Sequence, residues 1–150
     1  MTSSIDAWKK LANMSKHVTS TSIRKLYKAD GLLAISKPYN ISVHGGPKMP
    51  VSVEDFFPDL EKQFKIPQGR LALAHRLDKN VSGVLLLSYT NDMAEHLAEA
   101  FRRRRVHKTY LAVLNGILKG NHSRGILESG ILEKKVNGRN QMVVANEVVR

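Results

Sequence analysis

The chain contains no cysteine, which excludes disulfides and thiolate metal sites. It has no apolar run approaching the ~18–20 residues that a membrane-crossing helix requires. Acidic side chains are scarce: 13 Asp and Glu stand against 24 Lys and Arg, for a net charge of +11 and a pI near 10.1. Such an imbalance points to a polyanionic partner, because each cation placed on a phosphate releases condensed counterions. A role on an anionic membrane surface would need a basic helix with a continuous apolar face, and only the first 22 residues approach that pattern. What remains is ordinary for a folded protein: 42% hydrophobic and 25% charged residues over 150 positions, enough for one domain with a buried core.

Residues 1–22 read as a leader or flexible N-terminal segment. They carry eight Ser and Thr, a single acid (Asp6), and Ile5, Trp8 and Leu11 at helical spacing. An amphipathic, acid-poor start is compatible with a mitochondrial transit peptide, a short surface helix being the alternative. From residue 23 to 150 the pattern is that of a folded domain. Two short strands, 23–28 and 32–36, flank Ala29-Asp30-Gly31 and predict a hairpin. Lys37-Pro38 ends the second strand, and residues 41–47 read as a tight Gly/Pro loop. Ser52 to Asp55 opens a helix carrying Phe56, Phe57, Leu60 and Phe64, with Pro67 beyond it. Residues 84–88 form an apolar strand. Thr90 or Asn91 caps a helix whose Met93, Ala94, Leu97, Ala98 and Phe101 share one face. A further strand is expected over 108–114, and weaker strand signals lie at 130–134 and 141–145.

Three segments carry chemistry. The first is His75-Arg76-Leu77-Asp78-Lys79-Asn80-Val81-Ser82-Gly83, directly before Val84-Leu85-Leu86-Leu87. A carboxylate at a loop beside a buried strand is well supported as a nucleophile. The same aspartate can instead cap a turn, with Arg76 neutralising it. The second is Lys108-Thr109-Tyr110-Leu111-Ala112-Val113-Leu114-Asn115-Gly116, and the third Ile35-Ser36-Lys37-Pro38-Tyr39-Asn40-Ile41-Ser42-Val43-His44.

In this order the segments resemble the RluA-type pseudouridine synthases, which isomerise uridine to pseudouridine in RNA. The first matches that family's His-Arg-Leu-Asp, two variable residues, Thr-Ser-Gly, with Val81 in place of Thr. The second is similar to its Lys-x-Tyr strand. The third is similar to its Lys-Pro-x-Gly-x-x-Val-His, with Asn40 in place of Gly, a mild change because Asn tolerates a left-handed backbone. The resemblance covers residues 23–116 well, is nearest to the animal mitochondrial branch, and continues weakly through 125–134.

The resemblance implies an α+β fold: a mixed, mainly antiparallel central sheet with flanking helices, comprising the N-terminal part of a pseudouridine synthase catalytic domain. It implies Asp78 as catalytic aspartate, Arg76 as its stabiliser or as occupant of the space left by a flipped base, and Tyr110 against the target uracil. Arg102, Arg103, Arg104, Arg105, Lys108, His75, Lys37 and His44 are the expected RNA contacts, Lys37 and His44 serving as scaffold or contact rather than in the chemistry. The partner is structured RNA with its uridine flipped out, and the chain is expected to act as a monomer with no metal, organic cofactor or membrane. A metal hydrolase built on His75, Asp78, His96 and His107 is a remote alternative, since their spacing matches no dense ligand set. A non-catalytic RNA-binding relative is the nearer rival. The family's later Gly-Arg-Thr-x-Gln-Ile/Leu-Arg segment, whose arginine pairs with the aspartate, does not occur in these 150 residues. The expectation is therefore a fragment, a short form or a diverged member, mitochondrial or else cytoplasmic or nuclear.

Overall fold

Asp30 and Gly31 both take positive φ, 49° and 84°, the backbone that a two-residue hairpin turn demands. They join strand β1, Arg24–Ala29, to β2, Leu32–Lys37. A side chain at position 31 would also collide with Thr90 Oγ1 and press on Met93, so glycine is required there twice over. The structure, a computed structural model, describes residues 18–46, 51–113 and 125–149. They fall into two units, divided between Lys108 and Thr109. Residues 1–17, most of the expected leader, and Pro47 lie outside the described residues. Ser20–Ser22 form a single 3-10 turn.

In the first unit, β2 pairs antiparallel with β4, Gly83–Ser88, and β4 with the short β3, Ala72–Leu73, giving the order β1-β2-β4-β3. Leu33 lies opposite Leu87, and Ile35 opposite Leu85. These four point to one face, as strand alternation requires, and all are completely buried. They pack in a single cluster with Ile23, Ile41, Val53, Leu60 and Leu77.

Helix α1, Phe57–Phe64, follows a 3-10 turn at Glu54–Phe56. Ser52 donates both its N–H and its hydroxyl to Asp55 Oδ2, at 2.7 and 2.9 Å, which fixes the entry to the helix. Pro58 sits in the first turn, where its missing N–H costs nothing. The helix stops before Pro67: Lys65 is left-handed (φ 53°), and Ile66 N–H reaches Glu61 O at 2.8 Å. Helix α2 spans Asn91–Arg102, and the Thr90 hydroxyl accepts Met93 N–H as its cap. Its inner face differs from the expected one at one position. Leu97 is buried and Met93, Ala94, Ala100 and Phe101 are half-buried, whereas Ala98 is exposed. The i, i+3, i+4 rows through Leu97 select Ala100 instead.

The expected strand at 108–114 is corrected where the second unit begins. Residues 108–113 have no regular structure, Leu111 and Val113 are almost fully exposed, and Leu114 lies outside the described residues. An alternating segment becomes a strand only when a neighbour takes up its hydrogen bonds, and none does among the described residues. The weak signals at 130–134 and 141–145 belong to a longer hairpin, β5 Leu127–Val136 and β6 Arg139–Val149. Its turn is Asn137-Gly138, with φ of 50° and 77°, a residue pair that favours a two-residue hairpin turn.

Candidate active site

The segment between β3 and β4 is held from within by its apolar residues. Leu77 is only 8% exposed and belongs to the core cluster, and Val81 packs against it. Anchoring Leu77 inward turns its neighbours Arg76 and Asp78 outward, and both are exposed. Asp78 O accepts Val81 N–H at 3.0 Å, closing a turn directly after the carboxylate. Gly83, at φ 129°, leads into β4. Arg76 and Asp78 form no ion pair within 4.0 Å, and among the described residues no other cation pairs with Asp78.

Among the described residues Lys37 is the largest side chain with no exposure at all. Its ammonium donates to Ile41 O at 2.7 Å, Pro38 O at 2.9 Å and Lys79 O at 3.3 Å. Burial lowers its pKa to about 8, and the negative charge of Asp78 opposes that shift. Of the two expected roles for Lys37, scaffold and RNA contact, this burial fits the first. An ammonium shut off from solvent and engaged by three carbonyls has nothing left for phosphate.

His75 is half-buried. Its Nε2 accepts Leu86 N–H at 3.0 Å, and its ring lies 4.9 Å from that of Phe101. Desolvation holds the imidazole below its ordinary value and the charge of Lys108 pushes the same way, against a hydrogen bond with the Arg76 main chain. Through the Phe101 contact, the His75–Asp78 loop meets the end of α2, where the arginine tract begins. Arg102–Arg105 are all exposed. Two of them share Glu99: Arg102 donates Nε and Nη2 at 2.8 Å each, and Arg103 pairs with the same carboxylate. Arg104 and Arg105 have no carboxylate partner among the described residues. Glu99 and Phe101 were not among the expected site residues. Glu99 was readable from its i, i+3 and i, i+4 spacing to the arginines.

His44 is exposed in the loop after β2, with Nδ1 3.2 Å from Glu54 Oε2. Tyr110 belongs to the second unit, where it is 60% exposed in an irregular segment. Among the described residues no group of three or more His, Cys, Asp and Glu is placed to hold a metal ion.

An anchored loop presenting one carboxylate beside a cationic helix end fits chemistry on a polyanion, and the comparisons with known proteins agree. A family model for RNA pseudouridylate synthase matches residues 31–148. The mitochondrial pseudouridylate synthase RPUSD4 of Rattus norvegicus is 38% identical over 119 residues, 79% of this chain and 31% of that protein. Its Homo sapiens counterpart is 37% identical over 117 residues, 77% of this chain and 30% of that protein. Ribosomal large subunit pseudouridine synthase C of Buchnera aphidicola is 32% identical over 131 residues, 87% of this chain and 40% of that protein. The chain thus spans about a third of the length of these relatives. A solved structure of human RNA pseudouridylate synthase domain containing 4 shares the fold, with a TM-score of 0.52 at 24% identity, covering 95% of this chain and 55% of that one. The α+β architecture with its antiparallel sheet and flanking helices is the one expected, and the chain belongs to the RNA pseudouridylate synthase family.

Proposed function

We propose that this chain acts in the isomerisation of uridine to pseudouridine in RNA, with Asp78 as its nucleophile. The observation that carries the reading is the turn itself: one carboxylate exposed to a substrate, on a backbone fixed by the buried Leu77 and the Asp78–Val81 hydrogen bond. Rigid support of this kind is what a reacting group needs, because a misplacement of about 1 Å can cost 10²-fold in rate. RNA approaches along the exposed arginine edge, and its uridine leaves the stack at a cost of a few kcal/mol. Asp78 attacks the nucleoside so that the N1–C1′ bond breaks. The uracil turns, the C5–C1′ bond forms as the bond to Asp78 breaks and restores the carboxylate, and the C5 proton passes to a base while N1 takes one up. Tyr110 is the residue assigned to the uracil face, where stacking is worth ~1–3 kcal/mol. No step calls on a metal or an organic cofactor. By similarity to relatives whose names place them in mitochondria, the compartment proposed is the mitochondrion, with the chain acting as a monomer.

A second reading, an RNA-binding relative without the chemistry, is favoured by Asp78 having no ion-pair partner among the described residues. Tritium release from RNA labelled at uracil C5 separates the two. Release that disappears in Asp78→Ala supports the synthase, and the loss expected for such a nucleophile is on the order of 10⁴–10⁶. Salt-sensitive RNA binding without release from either protein supports the second reading.

A further inference from the structure

We propose that Lys25 and Lys28 form a second RNA-binding surface, which holds the phosphate backbone of a base-paired stem. It lies where β1 meets the end of α1, apart from the arginine tract. The inference rests on the reading that the chain acts on RNA, not on Asp78 being its nucleophile.

Strand β1 is an edge of the four-stranded sheet, and its Lys25 and Lys28 stand opposite Ile35 and Leu33. Residues directly opposite one another share a face of the sheet, so both lysines fall on the side of the buried core. Their stems run over its rim while their charged ends reach water, as amphipathic side chains do. The Lys25 ammonium lies 5.8 Å from the centre of the Phe64 ring, and that of Lys28 lies 5.4 Å from the centre of Tyr89. Lys28 Nζ also donates to Lys65 O at 3.4 Å, at the C-terminal end of α1. These contacts set the two charges in place without neutralising them. Among the described residues no carboxylate comes within 4.0 Å of either ammonium. Lys62 and Lys65, both exposed, add two further charges at the same helix end. Cations with no acid to answer them suit a polyanion, and lysine, a compact point charge, suits phosphate better than a base edge. The rings narrow the choice further. Phe64 and Tyr89 pack against the core and already carry an ammonium, so neither offers a free face on which an unpaired base could stack. Backbone is what remains to be recognised, and a paired stem presents it with the bases stacked away on one another. The arginine tract is a separate surface, because Leu97, the buried residue of α2, stands outside the cluster that Leu60 of α1 joins.

The salt dependence of binding to a uridine-free RNA duplex, measured on the full 150-residue chain, tests this without calling on catalysis. Lys25→Met/Lys28→Met keeps apolar stems over the core and removes both charges. It should lower the slope of log affinity against log salt by about 1.4–1.8, the share of two phosphate contacts. Lys25→Arg/Lys28→Arg keeps the charges and should retain the wild-type slope. If the methionine double does not fold, Lys25→Met alone leaves the Lys28–Lys65 bond intact and should lower the slope by about 0.7–0.9. A wild-type slope in the methionine variants overturns the proposal. So does an equal loss in the arginine double, which would show that lysine's shape and not its charge was needed. A loss just as large on single-stranded RNA of the same length overturns the assignment to a paired stem. Binding to phosphatidylserine vesicles that the methionine double abolishes, with duplex affinity unchanged, would assign the surface to a membrane instead. If the wild-type chain binds no RNA at all, the reading of the chain as acting on RNA falls as well. If it binds RNA and the methionine variants bind with the same slope, only the second surface falls.

Discussion

The imidazole Nε2 of His75 accepts the main-chain N–H of Leu86 at 3.0 Å, so a side chain continues the strand pairing that β3 leaves unfinished. Ala74 N–H reaches Leu86 O at 3.2 Å on the same edge. Because Leu86 N–H can only donate, Nε2 must carry a lone pair, and the ring is neutral with its proton on Nδ1. The ring nitrogen that faces the sheet is thus taken.

This arrangement predicts acid sensitivity. Burial and the charge of Lys108 hold the folded His75 below its ordinary 6.5, so the unfolded chain takes up a proton first as pH falls. The unfolded state then binds more protons than the native one, and stability declines with falling pH below about 6.5. Protonation would strip Leu86 N–H of its acceptor. In His75→Leu, stability at pH 7.5 should drop by about 1–3 kcal/mol, the cost of an orphaned buried donor. Thermal melts between pH 5 and 7.5 should show a shallower pH slope in that variant than in wild type, and equal slopes would argue against the assignment.

Glu61 gives the same sign in a more acidic range. It is 3% exposed, and its carboxylate accepts the N–H groups of Gly69, Arg70 and Leu71 at 2.8, 2.7 and 2.8 Å. Desolvation alone would raise its pKa, but these three donors outweigh it and hold the group below its ordinary 4.5. Its contribution is therefore fully present above 4.5 and is lost as pH falls through the lowered folded value. Glu61→Ala orphans three donors and should cost about 3–5 kcal/mol. Glu61→Gln keeps part of the network and should cost about 1–3 kcal/mol. Urea unfolding at pH 7 checks both, and a loss under 1 kcal/mol in Glu61→Ala would show that loop 69–71 does not depend on the carboxylate.

The contrast between these side chains and the turns explains what could be read in advance. Asp30-Gly31 and Thr90 were legible because a positive φ or a helix cap is decided by the residue itself and its immediate neighbours. The loop position of Asp78, directly before an apolar strand, was legible too. The roles of Lys37, His75 and Glu61 were not. Each polar group is buried against main-chain atoms that only the finished fold brings near, and nothing local separates such a lysine from a solvated one. Residues 108–113 failed in the other direction: their alternation is clean, but a strand also needs a partner.

Gly31 is the position where one methyl group should do most damage. At φ 84° an alanine is strained, and its Cβ would strike Thr90 Oγ1, the cap of α2. Gly31 O also accepts Tyr89 N–H at 2.8 Å, so the turn cannot back away without breaking that bond. Gly31→Ala should cost about 2–4 kcal/mol from strain and overpacking together. Gly69 tests the argument, having φ 73° but nothing within 4 Å of a Cβ. Gly69→Ala should show the smaller loss, from strain alone, in parallel denaturant titrations.

The four arginines at the end of α2 should not contribute equally to RNA binding. Arg102 and Arg103 already share Glu99, so turning either toward a phosphate means giving up an existing pair. Among the described residues Arg104 and Arg105 have no carboxylate to release, and Arg104 is further set apart by a left-handed backbone at φ 53°, which turns the chain out of the helix. Each phosphate contact contributes about 0.7–0.9 to the slope of log affinity against log salt. The double variant Arg104→Ala/Arg105→Ala should therefore lower that slope by about 1.4–1.8 for a uridine-containing stem-loop, and Arg102→Ala/Arg103→Ala by less. Both variants leave the Leu77 anchor and the Lys37 hydrogen bonds in place, so stability should stay within about 0.5 kcal/mol of wild type, as for ordinary surface substitutions. Equal slopes for the two doubles would mean that the Glu99 pairs dissolve on binding and that the tract acts as one undivided charge.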